Sequence, residues 1–229
     1  MRIVKSTSYN FKGNLVIFKF PGICCSETKM AKEHVYVFGA SHINENHHFP
    51  DIFTPLFKHS KRFYPPKLDE EIFPQPGGII DQYLVDDIVT TAHQVSPSPS
   101  FFIVNYGDNN VRDLVRKNRH ASAIFPLFVQ LLDRLEEIPF CRVILTSLIP
   151  SFGRDEDTKE EFHSLNEFLR NLCKDRPRAS YCCFVRQLFV NGELSGDYFD
   201  DNVHLSFAGA TIMANAFHRH LYRLPRIKN

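Results

Sequence analysis

Apolar residues along this chain of 229 residues cluster into short runs separated by polar, Gly-rich and Pro-rich stretches. His34-Val35-Tyr36-Val37-Phe38 alternates β-branched and aromatic residues and runs into Gly39-Ala40-Ser41. That is the pattern of a buried strand delivering a hydroxyl at its end. Residues 101–106 are an apolar run of buried-strand length, 141–148 reads as another buried strand stopped by Pro150, and 181–185 supplies a further one. A short strand is expected at 61–64, ahead of a loop punctuated by Pro65, Pro66, Pro74 and Pro76 and closed by Gly77-Gly78. Between these runs the spacing turns helical: 79 to about 94, 111 to about 137 with a break near Pro126, an amphipathic stretch over 155–174, and about 207–221.

Strands and helices thus alternate from residue 34 onward, which predicts parallel strands joined by right-handed helical crossovers. The expected architecture is a flavodoxin-like three-layer α/β/α sandwich on a mainly parallel, five-stranded sheet. Residues 34–222 read as one domain, preceded by an extension over 1–33 with one edge-strand candidate at 14–20 and followed by a basic tail over 223–229.

Composition narrows the class without naming a chemistry. With 43% apolar residues, 22 Phe and no Trp, the chain is globular rather than disordered. A formal charge of +1 leaves no strong overall field to recruit a polyanion. Lys5, Lys12 and Lys19 interrupt the N-terminal apolar stretch, and no run of about 20 apolar residues is available to span a bilayer. The six cysteines lack metal-type spacing, and Cys24-Cys25 and Cys182-Cys183 are adjacent pairs that rarely bridge internally. Reduced thiols and a cytoplasmic location are the expectation. The His47-His48 pair has no partner spacing for a metal and reads as loop surface.

The chemistry concentrates where strands end. In a parallel sheet the loops after the strands open on one edge, so Ser41, the Gly77-Gly78 doublet and Asn109 are expected to converge there. A fourth loop, Asp201-Asn202-Val203-His204, places a carboxylate three residues ahead of an imidazole, able to accept its Nδ1 proton and leave Nε2 for a nucleophile. His42 competes for the base role, but consecutive residues in an extended segment diverge. Each feature alone is weaker than its structural explanation, a turn or a helix cap; the order of all four carries the argument.

These blocks resemble those of the SGNH (GDSL-type) hydrolase superfamily, matched in order over residues 34–222. Gly39-Ala40-Ser41 stands at the Gly-Asp-Ser block, Gly77 (or Gly78, one position along the doublet) at the oxyanion glycine, Gly107-Asp108-Asn109-Asn110 at the Gly-x-Asn-Asp block, and Asp201-Asn202-Val203-His204-Leu205-Ser206 at the Asp-x-x-His block. The resemblance implies a serine esterase with Ser41, Asp201 and His204 catalytic, Gly77 and Asn109 forming the oxyanion hole, a small-molecule or lipid ester as substrate, and no metal or organic cofactor. Two positions depart from the pattern: Ala40 replaces the family's Asp, and Asn110 its usual acid.

The alternative is a non-catalytic SGNH-like module that binds RNA. The RNA-binding domain of Oskar is such a domain, retrotransposon-encoded proteins also carry esterase-like domains, and Pro76-Gly77-Gly78-Ile79-Ile80 is similar to that branch. Arg112, Arg116, Lys117 and Arg119 crowd one helical stretch, and Arg219, Arg223, Arg226 and Lys228 crowd the C-terminal region, so basic charge is segregated enough to meet phosphates. No aromatic stacking platform is interleaved with them, which favours solvated faces.

Overall fold

The computed structural model describes residues 32–43, 48–67, 71–75, 77–95, 98–150 and 155–227. The strand expected at 14–20 lies outside the described residues. Five strands, β1 (His34–Gly39), β2 (Ile72–Pro74), β3 (Ser100–Asn105), β4 (Cys141–Thr146) and β5 (Ala179–Cys182), form one sheet in the order β2-β1-β3-β4-β5. Every pairing in it is parallel. Strand alternation sorts the core. Tyr36, Phe38, Phe102, Val104, Val143 and Leu145 face one apolar layer, which includes residues of α2 (Gln82–Val95), α3 (Asp108–Arg116), α4 (Phe125–Glu136) and α5 (Glu156–Lys174). Val35, Val37, Phe101, Ile103 and Ile144 face the other, built with α1 (Phe49–Phe53) and α6 (Phe207–Arg223). With both faces covered, the strands have no polar side, which is why they read as apolar runs.

Four local expectations are corrected. Residues 61–64 contribute only a single parallel bridge, Glu33 to Phe63; the fifth strand is Ile72–Pro74, inside the Pro-punctuated loop. Three residues are too few to show a period, and Pro is tolerated there because β2 is an edge strand. Helix α2 starts at Gln82 rather than 79, so the glycine doublet belongs to a loop and does not open the helix. The helical stretch after β3 starts earlier than 111: α3 begins at Asp108 behind Gly107 (φ 123°) and ends before Asn118 (φ 51°), and the break lies just ahead of Pro126, which sits in the first turn of α4. The last sheet strand is Ala179–Cys182, ahead of the expected 181–185. The apolar pattern does not predict the small hairpin β6 (Phe189–Val190) and β7 (Glu193–Leu194), although Asn191-Gly192, both at positive φ, is the expected signature of its turn.

Candidate active site

The strand order reverses between β1 and β3, and in an open parallel sheet the crevice beyond the strand ends at that point is where ligands bind. Ser41 begins a 3-10 turn (Ser41–Ile43) directly after β1 and is largely buried. The backbone around it is crowded. Ala40 N–H donates to Asn105 O (3.3 Å) and Gln75 N–H to Gly39 O (2.9 Å). A Cβ on Gly39 would stand 2.8 Å from Ile43 Cδ1 and 3.1 Å from Asn105 O, so the approach to Ser41 requires glycine.

The glycine loop is tied to α3. Asn109 Nδ2 donates to Gly78 O (3.0 Å). Asn110 grips Ile80 twice, its Oδ1 accepting from Ile80 N–H (2.8 Å) and its Nδ2 donating to Ile80 O (3.0 Å). Gly77 has φ +70°, and Gly78 N–H donates to Gln75 O (2.7 Å). Three loops of the predicted site therefore meet at the ends of β1 and β3.

The fourth loop is shaped by the start of α6. Ser206 caps that helix, its Oγ accepting from Gly209 N–H (3.4 Å) and donating to Asp197 O (3.0 Å), while Asp200 N–H donates to His204 O (2.9 Å). Gly209 is needed because a Cβ there would lie 2.3 Å from Tyr198 O. Within this loop His204 Nδ1 and Asp201 Oδ2 are 2.7 Å apart, and Asp201 Oδ1 accepts the N–H groups of Val203 (2.6 Å) and His204 (2.7 Å). These hydrogen bonds, the imidazole's first, hold the Asp201 carboxyl well below the usual carboxylate range. An ionised acceptor at Nδ1 selects the tautomer in which Nε2 is the basic nitrogen. The His204 ring lies edge-on to the ring of His42, centroids 6.3 Å apart, which sets this loop beside the turn that begins at Ser41.

His42 itself is buried, with Nε2 3.9 Å from Asp108 Oδ2. The sequence patterns single out neither Asp108 nor a site role for Arg112, whose Nη2 donates to Asp108 Oδ2 (2.7 Å) and Asn109 Oδ1 (2.8 Å). The usable signal is spacing, since positions three and four apart on a helix share a face.

No protein-family model matches this sequence, and no curated protein does either. Solved structures do. A member of the lipolytic protein G-D-S-L family from Veillonella parvula superposes with a TM-score of 0.64 at 15% identity, over 84% of this chain and 100% of that one. A carbohydrate esterase family 3 structure from Talaromyces cellulolyticus gives 0.61 at 15% identity, over 83% and 96%. A GDSL-like lipase from Bacteroides thetaiotaomicron gives 0.59 at 16% identity, over 86% and 90%. This chain has the SGNH hydrolase fold.

Around the SGNH core, the first basic cluster is divided. Arg112 turns inward to Asp108 and Asn109, and so does not belong to a surface patch; Arg116, Lys117 and Arg119 are exposed, with Lys117 paired to Asp113 at 2.7 Å. In the C-terminal cluster Arg219 donates to Gln187 Oε1 (2.9 Å). Cys141, Cys173 and Cys182 are buried free thiols that burial pushes up to about 12, whereas Cys183, which the apolar run over 181–185 places in the core with Cys182, is only half-buried. No helix among the described residues is long and apolar enough to cross a membrane.

Proposed function

We propose that this SGNH-fold chain is a serine esterase working by two-step acyl transfer on small-molecule esters. Ser41 Oγ bonds to the ester carbonyl carbon while its proton passes to His204 Nε2; collapse of the tetrahedral adduct breaks the C–O bond, and His204 returns the proton to the departing alcohol. Water repeats the sequence on the acyl-serine, releasing the acid and restoring Ser41. Asp201 fixes the tautomer and stabilises the imidazolium that forms between the steps. The oxyanion is received by the N–H groups of Ser41 and Gly77 and the side-chain amide of Asn109. Between the two glycines Gly77 is assigned because the N–H of Gly78 is already given to Gln75 O.

The observation that carries this reading is the Asp201–His204 pair. Its 2.7 Å contact, with Asp201 Oδ1 locked by two backbone N–H groups, orients an imidazole beside the Ser41 turn. It is supported by solved structures of the same fold described as lipases, acetyl xylan esterase and carbohydrate esterase. The test is hydrolysis of p-nitrophenyl acetate together with labelling by a fluorophosphonate. The wild type is expected to turn over and to label at Ser41. Ser41→Ala and His204→Ala should each lose about 10³-fold or more in kcat, the scale set by groups that act as one unit. Asn109→Ala should lose about 10²–10³-fold, as for removal of one oxyanion donor. Equal rates in wild type and Ser41→Ala would overturn the reading.

A further inference from the structure

An asparagine serves an oxyanion only with its nitrogen turned toward the charge; flipped, it presents an oxygen and repels it. Something must therefore hold the Asn109 amide in one orientation. The structure places a guanidinium against its oxygen: Arg112 Nη2 is 2.8 Å from Asn109 Oδ1. Arginine has only donors, so a flipped amide would set NH₂ against guanidinium N–H and lose this bond. The other end agrees, since Asn109 Nδ2 donates to Gly78 O at 3.0 Å, and an amide oxygen there would face a carbonyl.

Arg112 is itself anchored. Its Nη2 also reaches Asp108 Oδ2 at 2.7 Å and its Nε reaches Asp108 O at 3.3 Å. Asp108 is buried, and the Arg112 side chain is only 14% exposed, so this pair is shielded from the solvent screening that weakens surface ion pairs. Asp108, Asn109 and Arg112 occupy the first turns of α3 at spacings of three and four, which makes the arrangement a property of one helix end.

We propose that Arg112 is a positioning residue for the oxyanion hole, acting through Asn109 without touching substrate. This rests on the esterase reading, and its test is chosen to separate the two. In a double-mutant cycle, Arg112→Met should lower kcat by about 10-fold or more with little change in KM, because the loss falls on transition-state stabilisation. In an Asn109→Ala background the same change should alter kcat by less than about 2-fold, since nothing remains to orient. A merely structural role would lower kcat equally in both backgrounds, and that additivity would overturn the inference while leaving an active wild type and the esterase reading intact. Absence of turnover and fluorophosphonate labelling in the wild type would instead overturn both. Because Arg112→Met strands the Asp108 carboxylate, the cycle is repeated with Asp108→Asn present throughout, and with Arg112→Lys, which keeps the charge but not the planar fork. A second readout needs no activity: the Asn109 side-chain amide protons, followed by NMR, should exchange with solvent faster in Arg112→Met than in wild type, and unchanged exchange would overturn the inference.

Discussion

Ala40 occupies the one position of the Gly39-Ala40-Ser41 block that departs from the SGNH pattern it resembles, and its surroundings account for the small side chain. It is fully buried and belongs to the apolar layer that includes Phe38, Ile80, Leu84, Val85 and Tyr106. A carboxyl group placed there must shed its hydration among hydrocarbon neighbours, at about 2–7 kcal/mol for a polar group left without a hydrogen bond, and more if it stays ionised. Ala40→Asp is therefore expected to destabilise the fold by at least about 2 kcal/mol and to leave kcat no higher than wild type. Urea denaturation and ester hydrolysis on the same preparation check both parts; an Ala40→Asp variant that unfolds at the wild-type urea concentration and turns over faster would show that the loop retains a seat for the carboxylate. The departure is readable in the sequence as a gap in a motif. Its reason is not, because the apolar layer around Ala40 is assembled from helices far along the chain.

At the level of elements, the site depends on how closely α3 follows β3, with only Tyr106 and Gly107 between them. The apolar pattern misses that start, since Asp108, Asn109 and Asn110 have poor helix propensity and favour caps and turns, so periodicity emerges only at Val111. Strand ends are more legible: β1, β3 and β4 each carry an unbroken apolar stretch, Val35–Phe38, Phe101–Val104 and Val143–Leu145, and with them come Ser41 and the Gly107–Asn110 block. Asn110 explains why an acid would serve less well at that position. It must accept from Ile80 N–H and donate to Ile80 O together, which an amide does and a carboxylate cannot. Asn110→Ala is expected to leave both backbone groups without these partners and to cost about 1–3 kcal/mol. Asn110→Asp should restore only the acceptor half and, with an ionised oxygen facing Ile80 O, be no more stable than the alanine variant. Thermal unfolding of the three proteins ranks them, and an Asn110→Asp variant as stable as wild type would refute the double grip. Because the loop carries Gly77, Asn110→Ala should also lower kcat more than its stability loss alone explains at temperatures well below unfolding.

Across the whole molecule, the edge of the sheet opposite the candidate site is fastened by one ion pair that no local pattern could reveal. Glu33, just ahead of β1, is 1% exposed, and its Oε2 accepts from Arg62 Nε at 2.5 Å. The same guanidinium donates to Leu224 O (2.8 Å) and Pro225 O (3.3 Å), and Ile227 N–H donates to Glu33 Oε1 (2.6 Å). Two side chains 29 residues apart thus hold the chain beyond α6, 162 residues on from Arg62 at Leu224. The sequence presents residues 223–229 as a basic tail; the structure holds 224–227 by main-chain hydrogen bonds to which their charges are irrelevant. The clamp bears on the site only through α6, whose other end carries the Asp201–His204 loop. Removing one partner of a buried pair leaves an uncompensated charge and costs about 3–5 kcal/mol, so Arg62→Met should lower the urea midpoint sharply. Arg62→Met together with Glu33→Gln should recover part of that loss, because the stranded carboxylate is gone. At low temperature, where the variants remain folded, kcat should stay within about 2-fold of wild type, since the length of α6 separates the clamp from the candidate site and distant sites are usually independent. A large fall in kcat with an unchanged urea midpoint would reverse this assignment and make the C-terminal clamp part of the machinery that positions His204.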